Sequence, residues 1–167
     1  MLTFLLTSLL ALSKPASAPV LPAWAQTQWT EAGLGRTFDR AAYAKPGFLS
    51  ADFNGDGKTD VAILVSRRAT GSRGIVMLHQ GGAPHQILGT GRNTSREMLQ
   101  GDLAWADHWR VYRGRTTDEV LFTPSGDLGD TRTIYLKRPT IELTKEEQGG
   151  GMIYWNGRRY IWLHQTC

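Results

Sequence analysis

From Gly47 onward a glycine interrupts the chain roughly every eight to twelve residues, and the segments between are short and rich in β-branched and aromatic side chains. That punctuation leaves no room for long helices. The fold class it predicts is mainly β, a small antiparallel sandwich or partial propeller-like sheets, with strands at 48–52, 60–66, 74–80, 85–88, 109–112, 119–123, 133–137, 140–143, 152–155 and 159–163. The run VAILV at 61–65 is continuous rather than alternating, which predicts a central strand buried on both faces. Ahead of this region, 26–46 forms an N-terminal segment expected to be partly helical around 31–43, interrupted by Gly33 and Gly35 and stopped by Pro46-Gly47. TSREMLQ at 94–100 predicts a helical turn. A core of useful size is available, because 41% of the 167 residues are hydrophobic, and residues 47–167 are expected to form one β domain.

The last 16 residues contain the clearest local signal, MIYWNGRRYIWL at 152–163. Asn156-Gly157 between two apolar runs predicts a two-residue type I′ hairpin. Such a turn would pair Trp155 with Arg158, Tyr154 with Arg159, Ile153 with Tyr160 and Met152 with Ile161. Trp155, Arg158, Tyr160 and Trp162 would then share one face. That face is either an exposed ladder able to hold a sugar ring or a peptide, or one side of a sheet packed on both sides.

The start of the chain reads as an export signal. Residues 2–12, LTFLLTSLLAL, form an apolar run too short to span a bilayer, and small-x-small sites follow. Cleavage after Ala18 would place Pro19 just past the cut, so the expected signal peptide is 1–25, with Gln26 as the mature N-terminus. The other reading of the same segment is a buried N-terminal helix. Removing 1–25 takes away only Lys14, so the formal charge of +4 becomes +3. The expected location is periplasmic or secreted, with no membrane span after processing. Cys167 is the lone cysteine, so no internal disulfide can form. The arginines are scattered along the chain without a zinc-finger, RRM-like or helix-turn-helix pattern, and no nucleic-acid partner is expected.

The chemistry is concentrated in ADFNGDGKTD at 51–60. A hard cation such as calcium takes six to eight oxygen ligands, and a loop that presents oxygens at alternate positions around a glycine can wrap it. Asp52, Asn54 and Asp56 fill the first, third and fifth positions, Gly57 the sixth, the carbonyl of Lys58 the seventh and Asp60 the ninth. Position twelve is Ile63, inside a strand-like run, which argues against an EF-hand. Without an ion, the same residues could serve as a pair of turns.

At these positions the sequence resembles the calcium loop of the FG-GAP and VCBS repeat families, integrin-type repeats in which D-x-[DN]-x-D-G-x-x-D precedes an apolar strand. Asp52, Asn54, Asp56, Gly57 and Asp60 match, and the likeness runs through about residues 47–80. The resemblance implies a calcium ion held by this loop. A weaker echo, TTDEVLF at 116–122, aligns Asp118 with Asp60, but Arg110, Tyr112 and Gly114 stand where the other ligands should be, so it implies no second ion. The chain also resembles small exported bacterial proteins that combine one such loop with a C-terminal tyrosine-tryptophan hairpin.

The function expected from these readings is that of an exported calcium-binding β domain with a structural calcium site, acting as a binding or interaction module for a protein or glycan. The alternative is a cell-envelope hydrolase-like enzyme with its site near His108, where DHWRVYRGR at 107–115 places Asp107, His108 and Arg110 close together. His79, His85 and His164 are widely separated, without metalloprotease spacing, and are expected to be ordinary strand or loop residues.

Overall fold

VAILV lies where its apolar run predicts, in the middle of a sheet with both faces covered. The strands around it are β1 (Phe38–Arg40), β2 (Phe48–Ala51), β3 (Asp60–Arg67), β4 (Arg73–His79) and β5 (Gln86–Gly89). In this computed structural model, which describes residues 20–91 and 98–165, β3 pairs with β4 along one side, and with β1 and then β2 along the other. β5 completes the sheet beyond β4, and every pairing is antiparallel. The expected leader up to residue 19, most of the 94–100 turn and Cys167 lie outside the described residues.

The strands that follow are β6 (His108–Tyr112), β7 (Thr116–Phe122), β8 (Leu128–Tyr135), β9 (Thr140–Lys145), β10 (Gly149–Trp155) and β11 (Tyr160–Gln165). They make a second antiparallel sheet in the order β11-β10-β9-β6 and a separate β7-β8 hairpin. Alternation of side chains sorts the apolar residues into layers. Leu49, Ala62, Leu64, Ile75 and Met77 of the first sheet face Trp109, Ile141, Leu143 and Ile153 of the second. The far side of the second sheet, with Met152, Tyr154 and Leu163, packs on Ile134 and Leu136 at the end of the β7-β8 hairpin.

The far side of the first sheet is covered by a helix, α1 (Ala23–Glu31), and here the sequence expectation is corrected. The helix lies upstream of 31–43, because Leu21, Ala25 and Trp29 recur every four residues and form the stripe that seats on Val61, Ile63, Val65, Val76 and Leu78. Gly33, at φ 63°, ends it in the left-handed conformation that glycine adopts readily. A short 3-10 turn at Leu34–Arg36 then leads into β1, where Phe38 is buried in the same layer. The expected processing boundary after Ala25 therefore falls inside α1, whereas a boundary after Ala18 would lie ahead of the helix.

The terminal hairpin is likewise corrected in detail. Trp155 pairs with Tyr160, Tyr154 with Ile161, Ile153 with Trp162 and Met152 with Leu163, so the connection is four residues long and not two. The cause is local: Asn156 Oδ1 accepts the N–H groups of both Arg158 and Arg159, each at 3.0 Å, and the Asn156 N–H donates to the Arg159 carbonyl at 3.1 Å. Gly157 has positive φ and Asn156 does not, so this is not a type I′ turn. Shifting the pairing by two preserves the faces, so Ile153, Trp155, Tyr160 and Trp162 stay together, but Arg158 is left in the exposed loop.

β10 begins earlier than expected, with three glycines, because its neighbour leaves no space. A Cβ on Gly150 would overlap the Leu143 carbonyl and approach Thr144 Cα to 2.9 Å. These are backbone atoms in a paired strand and cannot step aside. Gly150→Ala is expected to lower stability by about 1 to 3 kcal/mol in urea unfolding followed by circular dichroism.

Candidate functional site

The chain between β2 and β3 must turn back within eight residues, and it does so by wrapping around Asp52. Oδ1 of Asp52 accepts the N–H groups of Gly55 and Asp56, the latter at 3.1 Å, and Oδ2 accepts that of Gly57 at 2.9 Å. Gly55 and Gly57 both take positive φ, at 79° and 81°, which makes the coil possible. Asn54 Oδ1 caps the Asp56 N–H at 2.9 Å, and Asp56 Oδ1 caps that of Lys58 at 2.8 Å. The Lys58 amide, first, and then the Asn54 side chain hold the Asp56 carboxyl below its ordinary pKa, although it is fully exposed.

Asp60 opens β3 and is fully buried. Its Oδ2 accepts the N–H groups of Phe53 and Asn54, at 2.9 and 3.0 Å. Its Oδ1 lies 3.1 Å from His79 Nδ1 without hydrogen-bond alignment, and so has no hydrogen-bond partner. His79, buried at the end of β4, stacks on Tyr160 with ring centres 6.0 Å apart and lies 3.4 Å from Asn54 Nδ2. Arg138, between β8 and β9, donates from Nη1 to the Asn54 carbonyl. Burial, foremost, raises the Tyr160 pKa, and the nearby Asp60 carboxylate adds to the effect.

Among the described residues, five buried side-chain polar atoms have no hydrogen-bond partner, and four of them gather at this loop: Asp60 Oδ1, His79 Nε2, Arg138 Nε and Tyr160 OH. Buried polar atoms are normally paired, so this concentration sets the place apart from the rest of the fold.

Asp52, Asn54, Asp56 and Lys58 lie on the loop and Asp60 at its junction with β3, and carboxylate, amide and carbonyl oxygens are of the kind a hard divalent cation takes. Both Asp52 oxygens, Asn54 Oδ1, Asp56 Oδ1 and Asp60 Oδ2 accept the loop's own N–H groups. No group of three or more His, Cys, Asp or Glu side chains stands ready around a common point among the described residues. The partners His79, Tyr160 and Arg138 were not legible from the motif, because they reach the loop from other strands and carry no spacing signal.

The four residues of the possible ligand face are only partly brought together. Tyr160 is buried, Trp155 and Trp162 are half-buried against the core between the sheets, and Arg158 is apart from them in its loop. Trp162 meets Trp105 edge to face at 5.8 Å, and Trp155 meets Tyr160 at 5.0 Å. The rings pack against the core between the sheets, which fits a sheet packed on both sides, while Tyr160 and Trp162 also line a cleft with Leu99, Phe122 and His164. His108 is on the edge strand β6, largely exposed, with Nε2 3.6 Å from Asp107 Oδ1, and Arg110 pairs with Glu142 instead of facing it. Asp118 accepts the Thr133 hydroxyl at 2.9 Å on the outer hairpin, far in kind from a wrapped loop.

No family model matches the chain, and comparison with curated proteins and with solved structures finds no match. Among the described residues, no helix is long and apolar enough to cross a membrane.

Proposed function

We propose that the protein is an exported binding domain, periplasmic or secreted, whose 52–60 loop takes up a calcium ion that stiffens one end of the sandwich. The observation that carries the reading is the buried Oδ1 of Asp60, which has no hydrogen-bond partner among the described residues and lies 3.1 Å from His79 Nδ1, at the ninth position of a loop already wound by Asp52. The match of Asp52, Asn54, Asp56, Gly57 and Asp60 to the FG-GAP and VCBS pattern supports it. Asp52, Asn54, Asp56, the Lys58 carbonyl and Asp60 would hold the ion, which would offset the repulsion of three carboxylates. Extracellular sites of this kind bind at about 0.1 to 1 mM, so the role is structural and suits a calcium-rich exterior. The working partner is a protein or a glycan.

Thermal unfolding in about 1 mM calcium and in chelator tests the reading. With a dissociation constant of about 0.1 mM, mass action gives about 1.4 kcal/mol, or a rise in Tm of about 3 to 6 °C. Asp56→Ala, at an exposed site, is expected to remove the rise, with only a small fall of Tm in chelator from the lost cap on the Lys58 N–H. Equal Tm values in the two buffers would leave the loop as turn chemistry alone.

A further inference from the structure

Two connections on the other side of Arg138 enclose a cleft of about 690 Å³. One is 113–115, between β6 and β7, and the other is 136–139, between β8 and β9. The lining brings together Arg113, Arg115, Lys137 and Arg138, and no acidic residue. Among the described residues, neither Arg113, Arg115 nor Lys137 has an ion-pair partner, whereas Arg68, Arg110 and Arg132 elsewhere on the surface each have one. Arg138 is held from behind by the Asn54 carbonyl, and its Nε is buried without a partner.

The basic walls are fixed in place. The Leu136 N–H donates to the Arg115 carbonyl at 2.8 Å, tying the two connections together. The Tyr112 hydroxyl donates to the Thr116 carbonyl at 2.8 Å and lays its ring over Gly114, where a Cβ would overlap it. Three charges without an ion-pair partner among the described residues, Arg113, Arg115 and Lys137, around one concavity repel each other and focus a positive potential, which favours an anion. At the rim, Tyr135 is 77% exposed, the kind of flat, amphipathic ring that accepts the face of a sugar.

We infer that this cleft binds an oxyanion-substituted saccharide, with sulfate or phosphate groups on Arg113, Arg115 and Lys137 and a sugar ring on Tyr135. Guanidinium groups suit such oxyanions because their parallel N–H groups match two oxygens at once. The inference rests on the reading of the chain as a binding domain, supplies the partner class that reading leaves open, and is independent of calcium uptake.

Titration calorimetry on the full chain, in calcium and in chelator, tests it with three probes: a heparin-derived hexasaccharide, the same oligosaccharide desulfated, and inorganic phosphate. The sulfated probe is expected to bind, more weakly as salt rises from about 50 to about 200 mM, and the desulfated probe is not. Arg115→Ala combined with Lys137→Ala should weaken binding by about ten-fold or more, and Tyr135→Ala by about three-fold. Arg158→Ala removes a charge from the β10-β11 loop, outside the lining of the cleft, and should change affinity less than about two-fold. All these side chains are exposed, so an unchanged Tm is the check that each variant folds. Equal weakening by the double variant's charge loss and by Arg158→Ala, binding of phosphate as tight as that of the hexasaccharide, or no binding of any probe would each overturn the proposal. None of these outcomes would alter the calcium-dependent shift in Tm, so the two readings fail separately.

Discussion

Asp60→Ala is expected to destabilise the protein by about 3 to 5 kcal/mol in chelator, because each buried donor left unsatisfied costs about 1 to 3 kcal/mol, and by about 1 kcal/mol more in calcium, where the ion's contribution is lost with its ligand. The two donors are the N–H groups of Phe53 and Asn54, which lie where β2 hands over to the loop and have the Asp60 carboxylate as acceptor. Phe53 is itself among the fully buried side chains, so its backbone cannot swing out to water without removing the ring from the core. Asp60→Asn retains an acceptor of the same shape and should lose about half as much. Equilibrium unfolding in urea would measure both. A loss below about 1 kcal/mol for the alanine variant would mean that water reaches these groups and that the loop is less dependent on Asp60 than its burial indicates.

The second large effect concerns α1. A chain that starts at Gln26 loses Leu21 and Ala25, both buried, together with half-buried Trp24 and the first turn of the helix. Burying Leu21 alone is worth about 2 kcal/mol, and the tryptophan and the helical turn raise the expected loss to about 4 kcal/mol relative to a chain that starts at Val20. The shorter chain should also expose the apolar side of β3 and β4 and associate at lower concentration, which light scattering would detect. The Gln28 side chain still donates to the His79 carbonyl at 2.9 Å, so what remains of the helix is tethered to β4 but poorly seated. Equal stability of the two chains would make Ala25 an acceptable boundary.

These two effects mark where sequence reasoning succeeds and where it stops. The strands from β2 to β11 were legible because turn residues bracket them and VAILV has no polar alternation to mislead. β1 was not, since Phe38–Arg40 contains one apolar residue and is a strand only because β3 offers it an edge. The helix was misplaced because the small residues of AWAQ read equally well as a cleavage site, and the stripe Leu21, Ala25, Trp29 has meaning only once the sheet it covers is known. In the terminal hairpin, the side chain of Asn156 competed with the turn that its backbone preference suggested.

The loop was legible because its ligands are local, two or three residues apart. Its buried surroundings were not, because His79 and Arg138 arrive from 25 and 84 residues beyond Asn54. Such long-range convergence leaves no trace in spacing. The tryptophans show the same limit: a pattern tells which side of a strand they occupy, and only the opposing sheet tells whether water reaches them.

The two sheets are drawn from successive stretches of chain: β1 to β5 end at Gly89, and β6 starts at His108. As the polypeptide emerges from the ribosome or threads through a translocation channel, the first sheet can zip up hairpin by hairpin beneath its helix before any of the second exists. That intermediate carries Leu49, Ala62, Leu64, Ile75 and Met77 on a bare surface, waiting for a lid that is still being delivered. A chain halted near residue 91 is therefore a half-closed sandwich, and the interval until β9 to β11 arrive is the period in which the newborn protein most needs protection from its own kind.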